Sequence, residues 1–514
     1  MNKYLDEPLK SRLKKNSITN IIYFCVLIPI NFIVTPLILR HVGKEIFGVW
    51  TLTWTILAFM EFLSLQTPSA VAVFVPKHDP EKEADKINEI MNTLFIFYLA
   101  MALVCALLFM FCESWLIKLF FKVGPGLMPD TRFVLGFSFY LFIINFILAC
   151  FCFLLSGFNI YYVYNIMHII ISVIRFVLFV AVLRAGLGIR GVTVVQMLSI
   201  VTETIIILII TKIMFPPLKF NPKLFSLKKL KEMLSLSVKM LVTRIAGTVN
   251  YNVDKLVLGY FLNPVIAGYY QIGANISKYI STIPDMLGLP SLLPAASELK
   301  AKDQMHKLEI LYERANKYMF YAAMLLLSGI VFFGKDFVDL WLGPGFESVY
   351  LAMVFLAAAY TISLFGYSAI NLLNGLEKVN EPMVVSLIGA VLNIVLSIIL
   401  TKKFGLEGAL AGTTVSMCLT AIALYVLFYK ILKYRLNFMH IFFKPIISLI
   451  IARGIFIFLN KAFIFGKSWL LLFAGIAAFC AVFIVLTVFI FRHFDDYDMD
   501  LIKGMFSAEG KGRQ

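Results

Sequence analysis

Long apolar runs, broken by short charged or turn-forming segments, make up most of the chain. A spanning helix needs about 20 mostly apolar residues. The runs that qualify are 18–39, 46–72, 89–112, 133–155, 160–183, 190–213, 234–260, 265–290, 317–333, 350–373, 382–401, 408–430, 444–460 and 468–491. They are too long and too uniformly apolar for barrel strands, which alternate over about ten residues. In hydrocarbon the backbone must then satisfy itself within helices. The expected fold is an all-α polytopic membrane protein with about 14 transmembrane helices.

Three local matches recur at nearly one offset, between 218 and 220 residues. The stretch Leu37 to Gly48 resembles Leu256 to Gly268, Leu154–Gly157 resembles Leu372–Gly375, and Gly186-Leu187 resembles Gly405-Leu406. Agreement among the three argues for duplication. The unit holds six spans, an even number, so both copies run the same way through the bilayer about an axis along its normal. Residues 1–215 are expected to form an N-terminal six-helix lobe and 233–431 a second. Residues 216–232, with three prolines and six lysines counted from Lys212, read as a basic cytoplasmic linker. Residues 432–514 supply two accessory helices and a cytoplasmic tail.

Composition sharpens this picture. Of 514 residues, 61% are hydrophobic and 15% charged, against about a quarter charged in soluble domains. That excludes a soluble enzyme, a disordered chain and a secreted disulfide scaffold. The net charge of +16 does not point to nucleic acid, because the Lys and Arg residues sit in short loops between apolar runs. With the N-terminus placed in the cytoplasm, 28 of them fall on the cytoplasmic side and 12 opposite. The positive-inside rule therefore puts both termini in the cytoplasm. No cleavable signal peptide is expected, since the first apolar run is long enough to stay in the membrane. The seven cysteines lie in or beside apolar runs and read as small buried hydrophobes.

Ten ionisable residues fall inside the runs: Glu61, Arg175, Glu203, Lys239, Arg244, Asp254, Lys255, Lys278, Asp285 and Arg453. Each central charge costs about 2.5–3.5 kcal/mol on insertion scales. Lys239 and Lys255 are close enough to span ends to snorkel. The others are expected to face water or one another. Helical spacing lines many of them up. Gln271, Asn275, Lys278, Thr282 and Asp285 form one stripe, and Arg244, Thr248, Tyr251 and Lys255 another. Tyr161, Asn165, His168, Ser172 and Arg175 share a face, as do Gln196, Ser199 and Glu203. Isolated Ser, Thr and Asn residues, and His168, read as interhelical hydrogen-bonders. Stripes with full charges read as the lining of a wet cavity. Arg175, Arg244, Lys255 and Lys278 suit an anionic ligand, because Arg grips phosphate oxygens bidentately and Lys adds a point charge. Gln271 and Asn275 are the expected polar contacts beside them. For Glu61, Glu203, Asp254 and Asp285 two readings stay open: counter-charges to the bases, or groups that take up H⁺ or Na⁺ to drive a cycle.

Several motifs fail their context. Gly186-Leu-Gly-Ile-Arg-Gly191 fits a dinucleotide pattern but lies in a turn between two apolar runs, not after a strand. Gly329 to Asp336 nearly matches a phosphate-binding loop but has Asp where Ser or Thr must ligate Mg²⁺. Cys150-Phe-Cys152 has no partner cluster for a metal. The chain is therefore expected to be no enzyme and to use no cofactor or metal. Active transport would draw on an ion gradient or the substrate's own gradient.

Three segments resemble Wzx-type polysaccharide flippases: Leu39-Arg-His-Val-Gly-Lys-Glu-Ile-Phe-Gly-Val-Trp50, Val253-Asp-Lys-Leu-Val-Leu-Gly259 with Ala267-Gly-Tyr-Tyr270, and Trp341-Leu-Gly-Pro-Gly-Phe346 with Asn374-Gly375. The resemblance covers about residues 15 to 430. It implies two six-helix lobes around a central, typically cationic cavity that works by alternating access. The implied cargo is a polyprenyl-diphosphate-linked oligosaccharide, a repeat unit of O-antigen, capsule or exopolysaccharide, with the polyprenyl tail left in lipid and a polysaccharide polymerase complex as a further candidate partner. The same superfamily includes MATE-type ion-coupled exporters of small molecules and lipid II flippases of peptidoglycan synthesis, which stand as alternatives. A non-transporting scaffold for polysaccharide assembly is a third.

Overall fold

The computed structural model describes residues 9–65, 67–158, 160–437, 439–462, 468–495 and 498. Lys3, Lys467, Lys503, Lys511 and Arg513, and the side chains of Lys10, Lys14, Lys239 and Lys461, lie outside the described residues. No strand occurs among the described residues, as the apolar runs require. The chain separates into two compact units, one of residues up to Gln271 with Thr401–Gly405, the other of Ile272–Leu400 with Leu406 onward. This boundary lies inside a helix, some distance from the basic linker.

The first unit contains α1 (Leu9–Val42), α2 (Lys44–Met60), α3 (Thr67–Phe74), α4 (Ala84–Leu116), α5 (Met128–Gly157), α6 (Tyr161–Arg184), α7 (Gly188–Met214), α8 (Leu227–Phe261) and the first half of α9 (Pro264–Ser277). Aromatic stacking joins α4 to α5, with Phe109 over Phe139 at 3.7 Å and Tyr98 over Phe146 at 4.4 Å. On the other side of α4, Leu103, Leu107, Leu108, Met110 and Phe111 are bare, Phe111 by 83%. In water such a stripe would be untenable; in a bilayer it is the lipid-facing surface.

Two helices approach closely where side chains are missing. Gly48 of α2 lies against the backbone of Pro264, the first residue of α9, and a Cβ at Gly268 would stand 3.4 Å from the Cα of Gly48. These glycines occupy matching places in the two copies of the repeat.

The basic linker is held, not loose. Asn88 and Asn92, both buried at the start of α4, receive it like rungs of a ladder. Asn88 donates to the Pro217 carbonyl at 2.9 Å and accepts from the Lys219 amide at 2.7 Å. Asn92 donates to the Lys219 carbonyl at 2.6 Å and accepts from the Asn221 amide at 2.7 Å. Thr93 then accepts from the Ser226 amide at 3.0 Å, and Phe220 packs on Phe151 at 4.3 Å. Asn92→Ala deletes both a donor and an acceptor to main-chain groups. The expected loss is about 2 kcal/mol, read as a lower melting temperature in detergent and faster protease cleavage within 216–226. Unchanged cleavage would mean the ladder does not hold the segment.

The second unit continues through α10 (Ile283–Met286), α11 (Leu292–Ala301), α12 (His306–Leu342), α13 (Glu347–Gly375), α14 (Asn380–Leu432), α15 (Lys444–Ala462) and α16 (Trp469–Val485). One core surrounds Tyr312 stacked on Phe428 at 3.9 Å. A second joins α12, α15 and α16 through Phe333, Phe456 and Phe479. Arg453, one of the ten charges inside the apolar runs, is part-buried and lies 4.5 Å over the ring of Phe332. That cation–π contact needs no cavity.

Beyond α16 the chain is clasped back onto α12. Asp498, 1% exposed, accepts from Arg314 Nη1 at 2.5 Å, from Lys317 Nζ at 2.5 Å and from the Tyr318 hydroxyl. Asp495 adds a second contact to Arg314 at 3.2 Å. Burial alone would raise the Asp498 carboxyl. The hydrogen bonds from Lys317, Tyr318 and the Asp495 backbone outweigh it and hold the group at about 2.

Eleven helical segments among the described residues are long and apolar enough to cross a membrane, three fewer than the runs counted from sequence. The difference has physical causes. α14 counts once, although Gly405 at φ 61° and ψ −134° interrupts it between two apolar runs. α8 is helical throughout, but Arg244, Asp254 and Lys255 make it polar. The run 265–290 is not one helix but three short pieces.

Candidate functional site: two broken helices and their charges

The second apolar run of each repeat copy is broken near its middle. In the first copy, α2 stops at Met60, a 3₁₀ turn occupies Glu61–Ser64, Leu65 takes a left-handed conformation (φ 46°), and α3 starts at Thr67. In the second, α9 stops at Ser277, a 3₁₀ turn occupies Lys278–Thr282, and α10 starts at Ile283. Each break opens on a charged residue and is followed by a proline, Pro68 or Pro284, that is the second residue of the next helix. Proline disfavours helix in the residue before it and cannot donate to the turn behind. Interrupted helices at corresponding places in two repeats are the strongest general pointer to a transporter's binding site. The apolar pattern hid them, because hydropathy averages over a short turn; the paired prolines were the available signal.

The expected stripe through Gln271, Asn275, Lys278, Thr282 and Asp285 is corrected accordingly. An α-helical spacing cannot be carried across a 3₁₀ turn, which advances about 120° per residue. Asn275, Lys278 and Asp285 are nevertheless all exposed, with Thr282 partly so.

In the first unit, Glu61 pairs with Arg244 of α8 across 3.8 Å, the two side chains 62% and 57% exposed. Such an open pair contributes little stability, so either charge is available to another partner. A separate cluster lies between α1, α6 and α7. His168 Nδ1 is 2.7 Å from the buried Glu203 carboxylate. The rings of Tyr23 and Tyr164 flank the imidazole at 5.3 and 5.9 Å. Arg175 donates to Ser172 at 2.9 Å and interacts electrostatically with Glu203. His168 thus bridges α6 and α7 as an interhelical hydrogen-bonder, with an ionisable partner.

A third group sits between α8 and α9. Asp254 is fully buried and accepts from Tyr270 at 2.6 Å. Lys255 is also buried, donating to Asn252 and Gln271 at 2.6 Å each. Lys255 therefore does not snorkel: its ammonium is satisfied by amide oxygens inside the helix pair. No group of three or more His, Cys, Asp or Glu side chains placed to hold a metal is found among the described residues.

Residues 13–300 match a family described as polysaccharide biosynthesis protein. The chain is 24% identical to the uncharacterized membrane protein EpsK of Bacillus subtilis, over 84% of this chain and 86% of that one. It is 27% identical to the probable flippase AglR of Haloferax volcanii over 33% of this chain, a match that spans only 36% of AglR. Among solved structures, the lipid II flippase MurJ in an inward closed conformation superposes with a TM-score of 0.67 over 95% of this chain and 99% of that one, at 15% identity. At that identity the likeness concerns the fold.

Proposed function

We propose that this chain, which belongs to the polysaccharide biosynthesis protein family, is a multi-pass membrane transporter for a lipid-linked glycan, and that its cargo is a polyprenyl-diphosphate-linked oligosaccharide. The observation that carries the reading is the matched pair of helix breaks, with the Glu61–Arg244 pair at one and Lys278 at the other. Half-helix ends expose backbone groups and fixed charge in the membrane's interior, where a diphosphate needs both. The family match and the flippase names of relatives support the same class of cargo.

On this reading the six-helix lobes 1–215 and 233–431 rock about the bound head group, exposing it alternately to each leaflet. Arg244 and Lys278 hold the diphosphate, and Arg175 assists. Gln271 and Asn275 meet the sugars, while Lys255 keeps α8 against α9. Of the acids, Glu203 with His168 is the strongest candidate for taking up the driving ion. Glu61 is displaced from Arg244 by the incoming phosphate, and Asp254 and Asp285 act as fixed counter-charges. The protein works in the bacterial cytoplasmic membrane with both termini inside, beside a polysaccharide polymerase.

The test is translocation of a labelled lipid-linked oligosaccharide by reconstituted protein. Arg244→Gln with Lys278→Gln is expected to lower the rate about tenfold or more, since one charge-assisted hydrogen bond contributes about 1.5–3 kcal/mol. An unchanged rate in the double variant would remove these residues from the site.

A further inference from the structure

Beside the break in the first copy lies a recess. It is a groove of about 450 Å³ with an almost wholly apolar lining, within the range of pockets that hold small ligands. Phe59 and Met60 line it from the end of α2, and Phe62, Leu63 and Leu65 from the break itself. α4 contributes Met101, Cys105 and Leu116, and α8 contributes Leu241 and Leu256.

This groove is not the ordinary lipid-facing surface. Of the α4 residues that line it, Cys105 is buried and Met101 and Leu116 are half-buried, on the side of Phe109 and away from the bare stripe of Leu103, Leu107 and Phe111. At its edge stands a charge. Arg244 follows the lining residue Leu241 by one turn of α8, and its partner Glu61 lies between the lining residues Met60 and Phe62.

An apolar slot with an accessible guanidinium at its rim fits an amphiphile whose hydrocarbon begins directly at a phosphate. We infer that the groove holds the isoprenyl units nearest the diphosphate of the lipid carrier. The rings and thioether chains around it adapt to a kinked, branched hydrocarbon. The inference rests on the flippase reading and adds to it that the carrier's first units leave the bilayer for the protein, while only the distal tail stays in lipid. Diphosphate oxygens then take Arg244 from Glu61, so head and tail are recognised at one helix break.

The experiment uses full-length protein in proteoliposomes and a polyprenyl diphosphate carrying a diazirine in the isoprenyl unit next to the diphosphate. Photolabelling is expected on α4 and α8 peptides containing Met101, Leu116 and Leu241. Excess unlabelled polyprenyl diphosphate should remove it and phosphatidylglycerol should not. Leu63→Trp and Leu116→Trp, on different elements, are each expected to cut both labelling and oligosaccharide translocation about tenfold by denying burial to branched hydrocarbon. Equal competition by phosphatidylglycerol would overturn the inference, as would full labelling in both tryptophan variants. Labelling in the groove of a wild-type protein that translocates no lipid-linked oligosaccharide would uphold the site and refute the flippase reading. Translocation with labelling only elsewhere would do the reverse.

Discussion

Asp498→Ala is expected to destabilise the protein by about 3–5 kcal/mol, the cost of leaving a buried cation without its counter-charge. Lys317 is only 3% exposed and its ammonium points at the lost carboxylate. The remedy is specific: Lys317→Met in the same chain should recover most of the loss, because removing both members of a buried pair is often neutral. The pH dependence has a definite sign. The Asp498 carboxyl sits at about 2 in the folded protein against an ordinary 3.8. Its contribution is therefore complete above about pH 4 and disappears as pH falls from there towards 2. Thermal unfolding in detergent across that range should show a descending acid limb that is shallower in the alanine variant. Equal melting temperatures at pH 7 for wild type and Asp498→Ala would show that the clasp does not hold the end of the chain.

Gly48→Leu is expected to cost about 3 kcal/mol or more, because overpacking here meets backbone and not a side chain that can rotate away. Even the Cβ of Gly48→Ala would overlap the carbonyl of Pro264. Gly247 on α8 supplies the control, since a Cβ there would meet nothing within 4 Å. Gly247→Ala should be neutral or gain up to about 1 kcal/mol from helix propensity. Two Gly-to-Ala changes in one membrane protein thus carry opposite signs, measurable as melting temperatures side by side. A Gly48→Ala protein as stable as Gly247→Ala would refute the close approach.

Much of this architecture is written in hydropathy. Uninterrupted apolar runs such as 89–112 and 133–155 became α4 and α5, because a bilayer leaves the backbone no other option. Where polarity enters, the runs say less. The helical spacing of Gln271 to Asp285 assumed a straight helix, yet a 3₁₀ turn begins at Lys278. Hydropathy averages over such a turn, whereas Pro68 and Pro284 mark its place locally. Lys255 lies near a span end, but snorkelling competes with whatever else the ammonium can reach, and Asn252 and Gln271 accept from it at 2.6 Å each. The Asp498 clasp joins residues 181 and 184 positions apart. Such distant partners leave no periodic trace, and no local pattern could have paired them.

The Asn88–Asn92 ladder has a consequence for how the protein is made. Its rungs meet main chain 127 to 131 positions downstream. At ribosomal speeds of about 5–20 residues per second, that stretch takes on the order of ten seconds to emerge. Throughout that interval the two side-chain amides of the nascent α4 have only the carbonyls one turn back in their own helix, Ala84 and Asn88, as protein acceptors. The first half of the protein therefore cannot finish maturing until translation has passed residue 221, which couples its completion in time to the arrival of α8.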